Sequence, residues 1–411
     1  MASKNSNKST VNFLEPKPKK ARKANFNENS TKVENLAKIQ PNKIEVKASE
    51  VIRIRFVKSA NEEESSELQK VSFTHQIFED EVIQGISPGD IQITFTYTLR
   101  ALFCLVDLQL SETLENKNQI ESQISKQIEP VLPHGHIKYT NENLKAKIDE
   151  EKTFEVFGKE IHSYSLNGQN FVVRSVEKKD KVGAEFHKKA QKLAVWYIET
   201  ADEIDLDDNR WEILYIWEKS ATNGKTIEEA FIGYFTIFNF QNPIKGIGMR
   251  ICQALILPQH QRKGHGFEMM RLVYKLAEER RNVFEVTVED PAPGFQTLRD
   301  LTDTFLCMEK LVFSSELLKS GKMCPLEAEE RGKIASRLKI TKGQVEAAYE
   351  ILLLDEIKLS EEKATKGYRL MVKRRLFSRN ESRLSSDGEE RKEELQEMFR
   401  QLVEERYRPV L

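Results

Sequence analysis

The sequence predicts a mixed α/β core, preceded by a small α+β domain and followed by a helical region. Three observations support this fold class. Apolar and polar residues alternate with a period of two in residues 51–57 and 91–98, which indicates strands. Helical and strand-like patterns then alternate between residues 150 and 310. Beyond residue 314 the chain is strongly charged and has the pattern of solvated helices.

The chain begins with a basic segment. Residues 1–45 are rich in Lys, Asn, Ser and Pro and poor in apolar residues, so we predict that they are disordered. They contain the run Pro16-Lys17-Pro18-Lys19-Lys20-Ala21-Arg22-Lys23. This run fits a nuclear-import signal, and it fits a solvated basic tail equally well.

Charge and composition exclude several classes of protein. The 411 residues have a formal net charge of −1, although the first 24 carry seven basic residues and one acid. The remainder is mildly acidic, which argues against nucleic-acid binding and is compatible with a basic peptide substrate. No apolar stretch approaches the roughly 20 residues of a membrane span, and the N-terminus lacks an apolar signal region. The four widely spaced cysteines form no CxxC pair, so we expect reduced intracellular thiols and no metal site.

We divide the chain into four regions. Residues 1–45 form the basic tail, 46–145 a small α+β domain, 146–313 the mixed α/β core and 314–411 a helical domain. The predicted core elements are, in order, a helix at Gly183–Thr200, paired strands at Trp211–Trp217 and Phe231–Phe240, a strand at Arg250–Leu257, a helix at Gly266–Arg281 and a strand at Phe284–Val288.

A glycine-containing loop joins the strand that ends at Pro258 to the next helix. It reads Gln261-Arg262-Lys263-Gly264-His265-Gly266. Glycines allow the backbone to approach a ligand, and a helix N-terminus offers unpaired N–H groups and partial positive charge, a combination that binds phosphate. The loop is too short for GxxxxGK[ST] and lacks the third glycine of GxGxxG. An ordinary tight strand-to-helix connection is the alternative interpretation.

The loop resembles the acetyl-CoA loop of the GNAT acetyltransferases. Three further segments narrow the resemblance: Trp196-Tyr197-Ile198-Glu199-Thr200, Val288-Glu289-Asp290-Pro291 and Leu298-Arg299-Asp300. Together with the loop, they resemble the catalytic subunit of the type B histone acetyltransferases. The resemblance extends from about residue 50 to about residue 375. It implies a GNAT core with acetyl-CoA as cosubstrate.

The resemblance also implies roles for individual residues. The general base corresponds to Glu289, and its supporting acids correspond to Glu199 and Asp290. The pantetheine arm would lie along Ala254, Leu255 and Ile256. The pyrophosphate would lie over Gln261, Arg262, Lys263, Gly264, His265, Gly266 and Phe267. The histone tail would contact Asp80, Glu81, Phe238, Asn239 and Phe240.

This sequence departs from the family pattern in two places. Val82 stands where the family has an acid, so the register of the acidic turn is open. The run Ala292-Pro293-Gly294 replaces a more polar segment, which leaves side-chain contact to the cosubstrate in doubt there.

Lysine acetylation requires a base, because the amine has a reference pKa of about 10.4. A free glutamate is a weak base, and burial or neighbouring carboxylates would raise its pKa. If Glu199 projects into the same cleft as Glu289 and Asp290, the three carboxylates could supply this shift. From pattern alone, Glu289-Asp290-Pro291 also fits a solvated turn that ends a strand. Cys252 could form an acyl-enzyme, but it fits a buried core thiol better.

The resemblance implies acetylation of newly made histones, mainly the tail of histone four. It also implies a WD-repeat histone-binding partner and residence in both cytoplasm and nucleus. Two alternatives are an acetyltransferase for other protein or small amines, and a non-catalytic histone-escort scaffold. Intact Gly264, Gly266 and Glu289 argue against the scaffold.

Overall fold

A computed structural model of the protein describes residues 44–59, 66–176, 180–222, 226–319, 324–357 and 362–411. The predicted disordered tail lies outside these residues except at positions 44 and 45, and so does the whole basic run at 16–23. Glu45 already belongs to the first strand. Within the described part of the chain, no helix combines the length and apolarity that crossing a lipid bilayer requires.

The N-terminal region contains a five-stranded sheet and a separate two-stranded ladder. Its elements are β1 (Glu45–Lys47), α1 (Ala48–Val51), β2 (Ile52–Val57), β3 (Gln69–Lys70), β4 (Val82–Gln84), β5 (Ile91–Thr98), β6 (Cys104–Leu110), α2 (Lys117–Ile128), β7 (Ile137–Lys138) and α3 (Asn141–Glu151). The sheet has the order β3-β2-β5-β6-β7, while β1 pairs with β4. Both strands predicted from alternation are present and lie side by side in parallel, with Ile52 opposite Ile93.

The catalytic region is built on a six-stranded sheet of order β13-β12-β11-β10-β9-β8. Its elements are β8 (Lys159–Leu166), β9 (Gln169–Val176), α4 (Lys181–Ala194), β10 (Trp211–Thr222), β11 (Thr226–Asn242), β12 (Gly246–Ile256), α5 (His265–Glu279), β13 (Val283–Val288) and α6 (Pro293–Glu309). Neighbouring strands are antiparallel except β12 and β13, which are parallel. The predicted pairing of the two aromatic strands is confirmed, with Trp211 opposite Phe238.

One face of this sheet shares a hydrophobic core with the N-terminal region. The buried ring of Phe186 on α4 packs against Tyr215, Trp217 and Phe231 at 5.3–5.4 Å between ring centroids. Trp196 lies 5.1 Å from Phe95 of the N-terminal sheet. These contacts bury aromatic surface from both regions in one place.

Helix α4 is shorter than predicted, because it ends at Ala194 and not at Thr200. The carbonyl of Trp196 accepts hydrogen bonds from the N–H groups of Ser72 and Phe73, at 2.9 and 3.2 Å. This carbonyl therefore accepts hydrogen bonds from the N-terminal region and does not continue the hydrogen bonding of the helix.

The opposite face of the sheet packs against α5, α6 and the C-terminal helices. These are α7 (Ser315–Lys319), α8 (Ala328–Leu338), α9 (Lys342–Glu356), α10 (Glu362–Asn380) and α11 (Gly388–Arg400), followed by a π-helical segment at Gln401–Tyr407. A buried carboxyl links three of them: Asp303 on α6 accepts hydrogen bonds from Tyr274 on α5 and from Gln344 on α9. A mixed α/β core with a helical C-terminal region is therefore present, as the sequence predicts.

Candidate active site

The site is organised around the point where β12 and β13 separate. Their parallel pairing ends with Ile251 opposite Val288, and the N–H of Glu289 still donates to the carbonyl of Ile251 at 2.9 Å. Strand β12 continues to Ile256 without β13 beside it. The separation leaves one edge of β12 open beyond Ile251.

Backbone alternation shows which groups face this opening. Leu257 donates its N–H to Ile232 of β11, at 2.9 Å. The backbone groups of Ala254 and Ile256 therefore point the other way, toward the opening. The Gln261 side chain confirms this geometry, because its Nε2 donates to the Ile256 carbonyl at 2.9 Å. Gln261 thereby holds the loop to the end of β12.

The loop delivers a helix N-terminus to the same place. Gly264 caps α5 with φ of +99°, a left-handed conformation that glycine adopts without steric cost. The first helical hydrogen bond runs from the N–H of Glu268 to the carbonyl of Gly264, at 3.1 Å. The N–H groups of residues 265–267 therefore precede the helical ladder and can bind an anion. Arg262 and Lys263 are exposed on the rim of the loop.

Gly266 packs closely against α6 at this helix N-terminus. A Cβ at position 266 would lie 2.7 Å from Cδ2 of Leu298 on α6, well inside van der Waals contact. The absence of a side chain lets the first turn of α5 rest directly against α6. Gly266 thus positions the N–H groups and α6 relative to each other.

The side chain of His265 faces the protein interior. It is 2% exposed, its Nδ1 lies 2.9 Å from the Tyr164 hydroxyl, and its ring centroid lies 4.5 Å from that of Phe171. Burial lowers the pKa of His265 to about 4, because it disfavours the charged imidazolium. His265 is therefore neutral at pH 7, and only its backbone N–H is available to a phosphate. The half-buried Phe267 packs its ring against Phe305, at 5.4 Å.

Glu289 stands at the branch point of the two strands. Its side chain is 51% exposed, and its Oε1 lies 3.9 Å from an Arg250 nitrogen. Asp290, also exposed, has φ of +31°, so the chain turns sharply after Glu289. The two predicted acids are thus adjacent at the opening. The backbone of the strand sets the direction of Glu289, and the turn sets the direction of Asp290.

The thiol of Cys252 lies beside Glu289. Burial, and then the neighbouring Glu289 carboxylate, raises the pKa of Cys252 to about 12. The thiol is consequently protonated at neutral pH, whereas the thiolate is the nucleophilic form. This environment disfavours the acyl-enzyme alternative.

Glu199 lies in the turns that follow α4 and is exposed. The segment is tied to β12 because Gln253 donates from Nε2 to the Asp202 carbonyl at 2.7 Å, and its Oε1 accepts from the Tyr234 hydroxyl at 2.9 Å. Among the described residues, no hydrogen bond or ion pair joins Glu199 to Glu289 or Asp290. The three-carboxylate cluster stays a prediction.

An exposed aromatic surface adjoins Glu289. The ring centroids of Phe238 and Phe240 are 4.6 Å apart, and Trp211 lies 4.8 Å from Phe238. Phe240 is 41% exposed. Asn239 has a structural role, since both its backbone N–H and its side-chain amide donate to the Arg210 carbonyl, at 2.9 and 3.0 Å.

The acidic turn at Glu79–Glu81 projects from the N-terminal region. Asp80 and Glu81 are exposed and have φ of 52° and 61°, in the left-handed region. The turn is anchored by Phe78, which is fully buried and whose carbonyl accepts the N–H of Glu81 at 3.0 Å. The chain just before it is bonded to Trp196, near the segment that carries Glu199.

Comparison with known proteins identifies the family. Residues 44–199 match the family described as "Histone acetyl transferase HAT1 N-terminus". The chain is 30% identical to a human histone acetyltransferase type B catalytic subunit over 369 residues, covering 82% of this chain and 86% of that protein. A Candida albicans protein of the same description is 28% identical over 388 residues, covering 90% of this chain and 91% of that protein.

The chain belongs to the type B histone acetyltransferase catalytic subunits. A crystal structure of an aminoglycoside acetyltransferase from an uncultured soil sample also matches 29% of this chain and 78% of its own, at 13% identity and a TM-score of 0.23. That likeness is too low to add to the family assignment.

Two residues of this histone acetyltransferase site were missing from the sequence-based prediction. Arg250 links Glu289 to the aromatic surface, because its guanidinium also lies 4.3 Å from the centroid of the Phe240 ring. Gln253 fixes the segment after Glu199 to β12. Across the described residues, no group of three or more His, Cys, Asp or Glu side chains is arranged to hold a metal ion.

Proposed function

We propose that this histone acetyltransferase transfers the acetyl group of acetyl-CoA to lysine side chains of newly made histones, mainly in the tail of histone four. The observation that carries the proposal is the position of Glu289. Its carboxylate stands where β12 separates from β13, and the open edge of β12 runs from there to the loop that caps α5.

The residues at the opening suit acetyl-CoA, which supplies an activated thioester when bound. The N–H groups of residues 265–267 would hold its pyrophosphate, since a helix N-terminus combines unpaired donors with partial positive charge. The backbone groups of Ala254 and Ile256 would hold the amide-containing pantetheine arm. Arg262 and Lys263 would add positive charge near the phosphates.

Glu289 would act as the general base. The lysine arrives as an ammonium and must lose a proton before its nitrogen can attack. Glu289 takes that proton, the lysine nitrogen forms a bond to the acetyl carbon, and the carbon–sulfur bond breaks. The departing thiolate takes the further proton that the nitrogen must lose, so the products are an acetyl-lysine and a free thiol. Direct attack is favoured because Cys252 is held as a neutral thiol.

Two regions would receive the acceptor peptide. The exposed carboxylates of Asp80 and Glu81 complement a lysine-rich tail. The surface formed by Phe238 and Phe240 would contact its backbone and small side chains. Glu199 and Asp290 would support Glu289. The alternative acceptors are other protein amines or small amines, and the exposed acidic turn favours an extended basic peptide over them.

Family membership also supports two biological proposals. The protein would act with a WD-repeat histone-binding partner, and it would be present in both cytoplasm and nucleus. Co-purification from cells followed by mass spectrometry would test the first. Imaging of the full chain, with and without residues 16–23, would test the second and the import function of the basic run.

The central test is Glu289→Gln, measured with acetyl-CoA and free histones. We expect turnover to fall at least about a hundredfold, in line with loss of a general base, while acetyl-CoA affinity stays within about twofold. Glu285→Gln, on the same strand, is the matched control and should behave as wild type. Wild-type turnover in Glu289→Gln would overturn the assignment. Mapping the modified lysines by mass spectrometry separates histone four from other acceptors.

A further inference from the structure

Three rings at the far end of β11–β13, of which Phe240 is exposed and Phe238 and Phe284 are half-buried, each lie against a cation of the same chain. The guanidinium of Arg210 lies 4.6 Å from the ring centroid of Phe238, and that of Arg250 lies 4.3 Å from Phe240. The Lys245 ammonium lies 5.4 Å from the Phe284 ring. We call these three pairs the cation-covered wall.

The pairs form one continuous surface. The rings of Phe238 and Phe240 are in contact, at 4.6 Å between centroids. A Cβ at Gly248 would lie 3.4 Å from the Phe284 ring and 3.9 Å from Cβ of Phe240, so these side chains share one face of the sheet. Beyond them the hairpin tip presents Ile244, which is 93% exposed. The wall therefore has a cation over each ring and an apolar tip, and among its described residues Lys245 has no ion pair to balance it.

The proposed base, Glu289, lies beside this wall. Arg250, in its middle, lies 3.9 Å from Glu289. From Arg250 to Gly246 at the end of the strand is about 14 Å, the length of roughly four residues of an extended peptide. A peptide whose lysine reaches Glu289 can thus place about four neighbours on one side of that lysine against the wall.

An aromatic surface ordinarily attracts lysine and arginine through the negative faces of its rings. Here a cation of the chain already lies over each of the three rings. A basic side chain of the substrate would meet like charges at the same positions. The charge of Arg210 is balanced by Asp208, which it contacts at 2.6 Å. The charge of Arg250 is balanced by Glu289 only while that carboxylate is ionised. Once Glu289 holds the substrate proton, Arg250 repels a basic side chain of the substrate more strongly.

The other side of Glu289 has the opposite charge. Along β12, Gln253 lies on the side of Cys252 away from Arg250, and it holds the segment that carries Glu199 and the exposed Asp202. The acidic turn at Glu79–Glu81 is joined to the same segment through the Trp196 carbonyl. The carboxylates of this segment and of the acidic turn are thus joined to β12 on the side of Cys252 away from the wall, and the cations Arg262 and Lys263 lie farther along, on the rim of the loop.

We propose that the enzyme selects acceptor peptides by charge asymmetry. Basic residues are bound on the side of the acceptor lysine that faces the acidic turn. They are rejected within about four positions on the side that faces the cation-covered wall, where Ile244 accepts an apolar side chain. This inference rests on the proposed role of Glu289 as the base.

The test compares three synthetic peptides with one acceptor lysine each, using the full-length protein. One peptide has three arginines on the N-terminal side of the lysine, one has them on the C-terminal side, and one has only glycine and serine as neighbours. We expect kcat/KM of the two charged peptides to differ at least about tenfold, as one or two charge contacts near a protein surface can produce.

Two variants test whether the cation-covered wall causes the difference between the charged peptides. Lys245→Glu should raise kcat/KM for the disfavoured charged peptide. The ratio of kcat/KM between the two charged peptides should therefore fall at least about threefold. Lys275→Glu, on the exposed side of α5, is the matched control and should leave the ratio unchanged. Equal rates for the two charged peptides, or a ratio that Lys245→Glu does not alter, would overturn the inference. Failure of all three peptides to be acetylated would instead contradict the proposed function.

Discussion

Replacing Gly266 by alanine tests whether the first turn of α5 must rest directly on α6. The added methyl would lie 2.7 Å from Cδ2 of Leu298, whereas carbon atoms normally approach to about 3.5–4.0 Å. The atom that would be struck ends the flexible, half-buried Leu298 side chain, so we expect an overpacking cost of about 1–2 kcal/mol, in the lower part of the usual range. Alanine regains up to about 1 kcal/mol of helix propensity over glycine, so we expect a net loss of at most about 1 kcal/mol in the free energy of unfolding.

The same displacement should weaken acetyl-CoA binding. Moving the turn away from α6 shifts the N–H groups of residues 265–267, and a hydrogen bond to a charged group contributes about 1.5–3 kcal/mol. Loss of part of one such bond corresponds to about a tenfold rise in Kd. Urea unfolding followed by circular dichroism measures the stability, and calorimetric titration with acetyl-CoA measures the Kd.

Two further variants make this prediction specific. Gly294→Ala is the matched control, because position 294 is also the second residue of a helix and a Cβ there meets no atom within 4 Å. It should gain up to about 1 kcal/mol of helix propensity, so Gly266→Ala should be about 1–2 kcal/mol less stable than this control. The methyl group added by Gly266→Ala would strike a methyl group of Leu298. Leu298→Ala removes that group, so the double variant should recover most of the lost acetyl-CoA affinity. If Gly266→Ala binds and unfolds like Gly294→Ala, or if Leu298→Ala restores nothing, the packing argument is wrong.

Two other predictions concern stability. Burial raises the pKa of Asp303 from 3.8 to about 6, so its ionisation opposes folding: the native state loses about 2 kcal/mol from this group as the pH rises from 4 to 7. Urea unfolding of Asp303→Asn should lack this loss, and parallel stability curves for variant and wild type would contradict it. Arg406→Ala should cost about 3 kcal/mol, because it leaves the buried Asp300 carboxylate without its ion pair and without the two Arg406 hydrogen bonds of 2.6 and 2.9 Å, so that within the described residues only the hydrogen bond from Gln296 remains. Thermal unfolding checks this, with Arg408→Ala, which removes the exposed pair with Glu404, expected to change stability by less than about 1 kcal/mol.

Local pattern was sufficient to predict the elements that carry the site. Alternation placed the strand at Ile91–Thr98 as observed, and the core strand at Phe284–Val288 differs by one residue from the structure. The glycine loop and the helix after it depend on neighbouring residues in the chain, which is why they were predictable. The helix begins at His265, one position before its predicted start.

The interior of the site depends on contacts between distant segments, which no local pattern encodes. His265 is buried against Tyr164, a residue 101 positions earlier. The position of Arg250 beside Phe240 follows from the register of β11 and β12. That register includes an irregularity next to Cys252, which changes the faces on which later side chains of β12 lie. The sequence shows neither the register nor this irregularity, so Arg250 and Gln253 were not identified.

The shared core between Phe95 and Trp196 has a consequence for how this enzyme can be dissected. Because the N-terminal sheet and the catalytic sheet bury the same aromatic side chains, they should unfold together as one cooperative unit. A fragment starting after α3 would expose the rings that now line this core, and it would tend to aggregate. The acidic turn and Glu289 therefore sit on parts of one rigid framework. The roles proposed for the acidic turn and for Glu289 should therefore be tested by substitutions at single positions and not by trimming the chain.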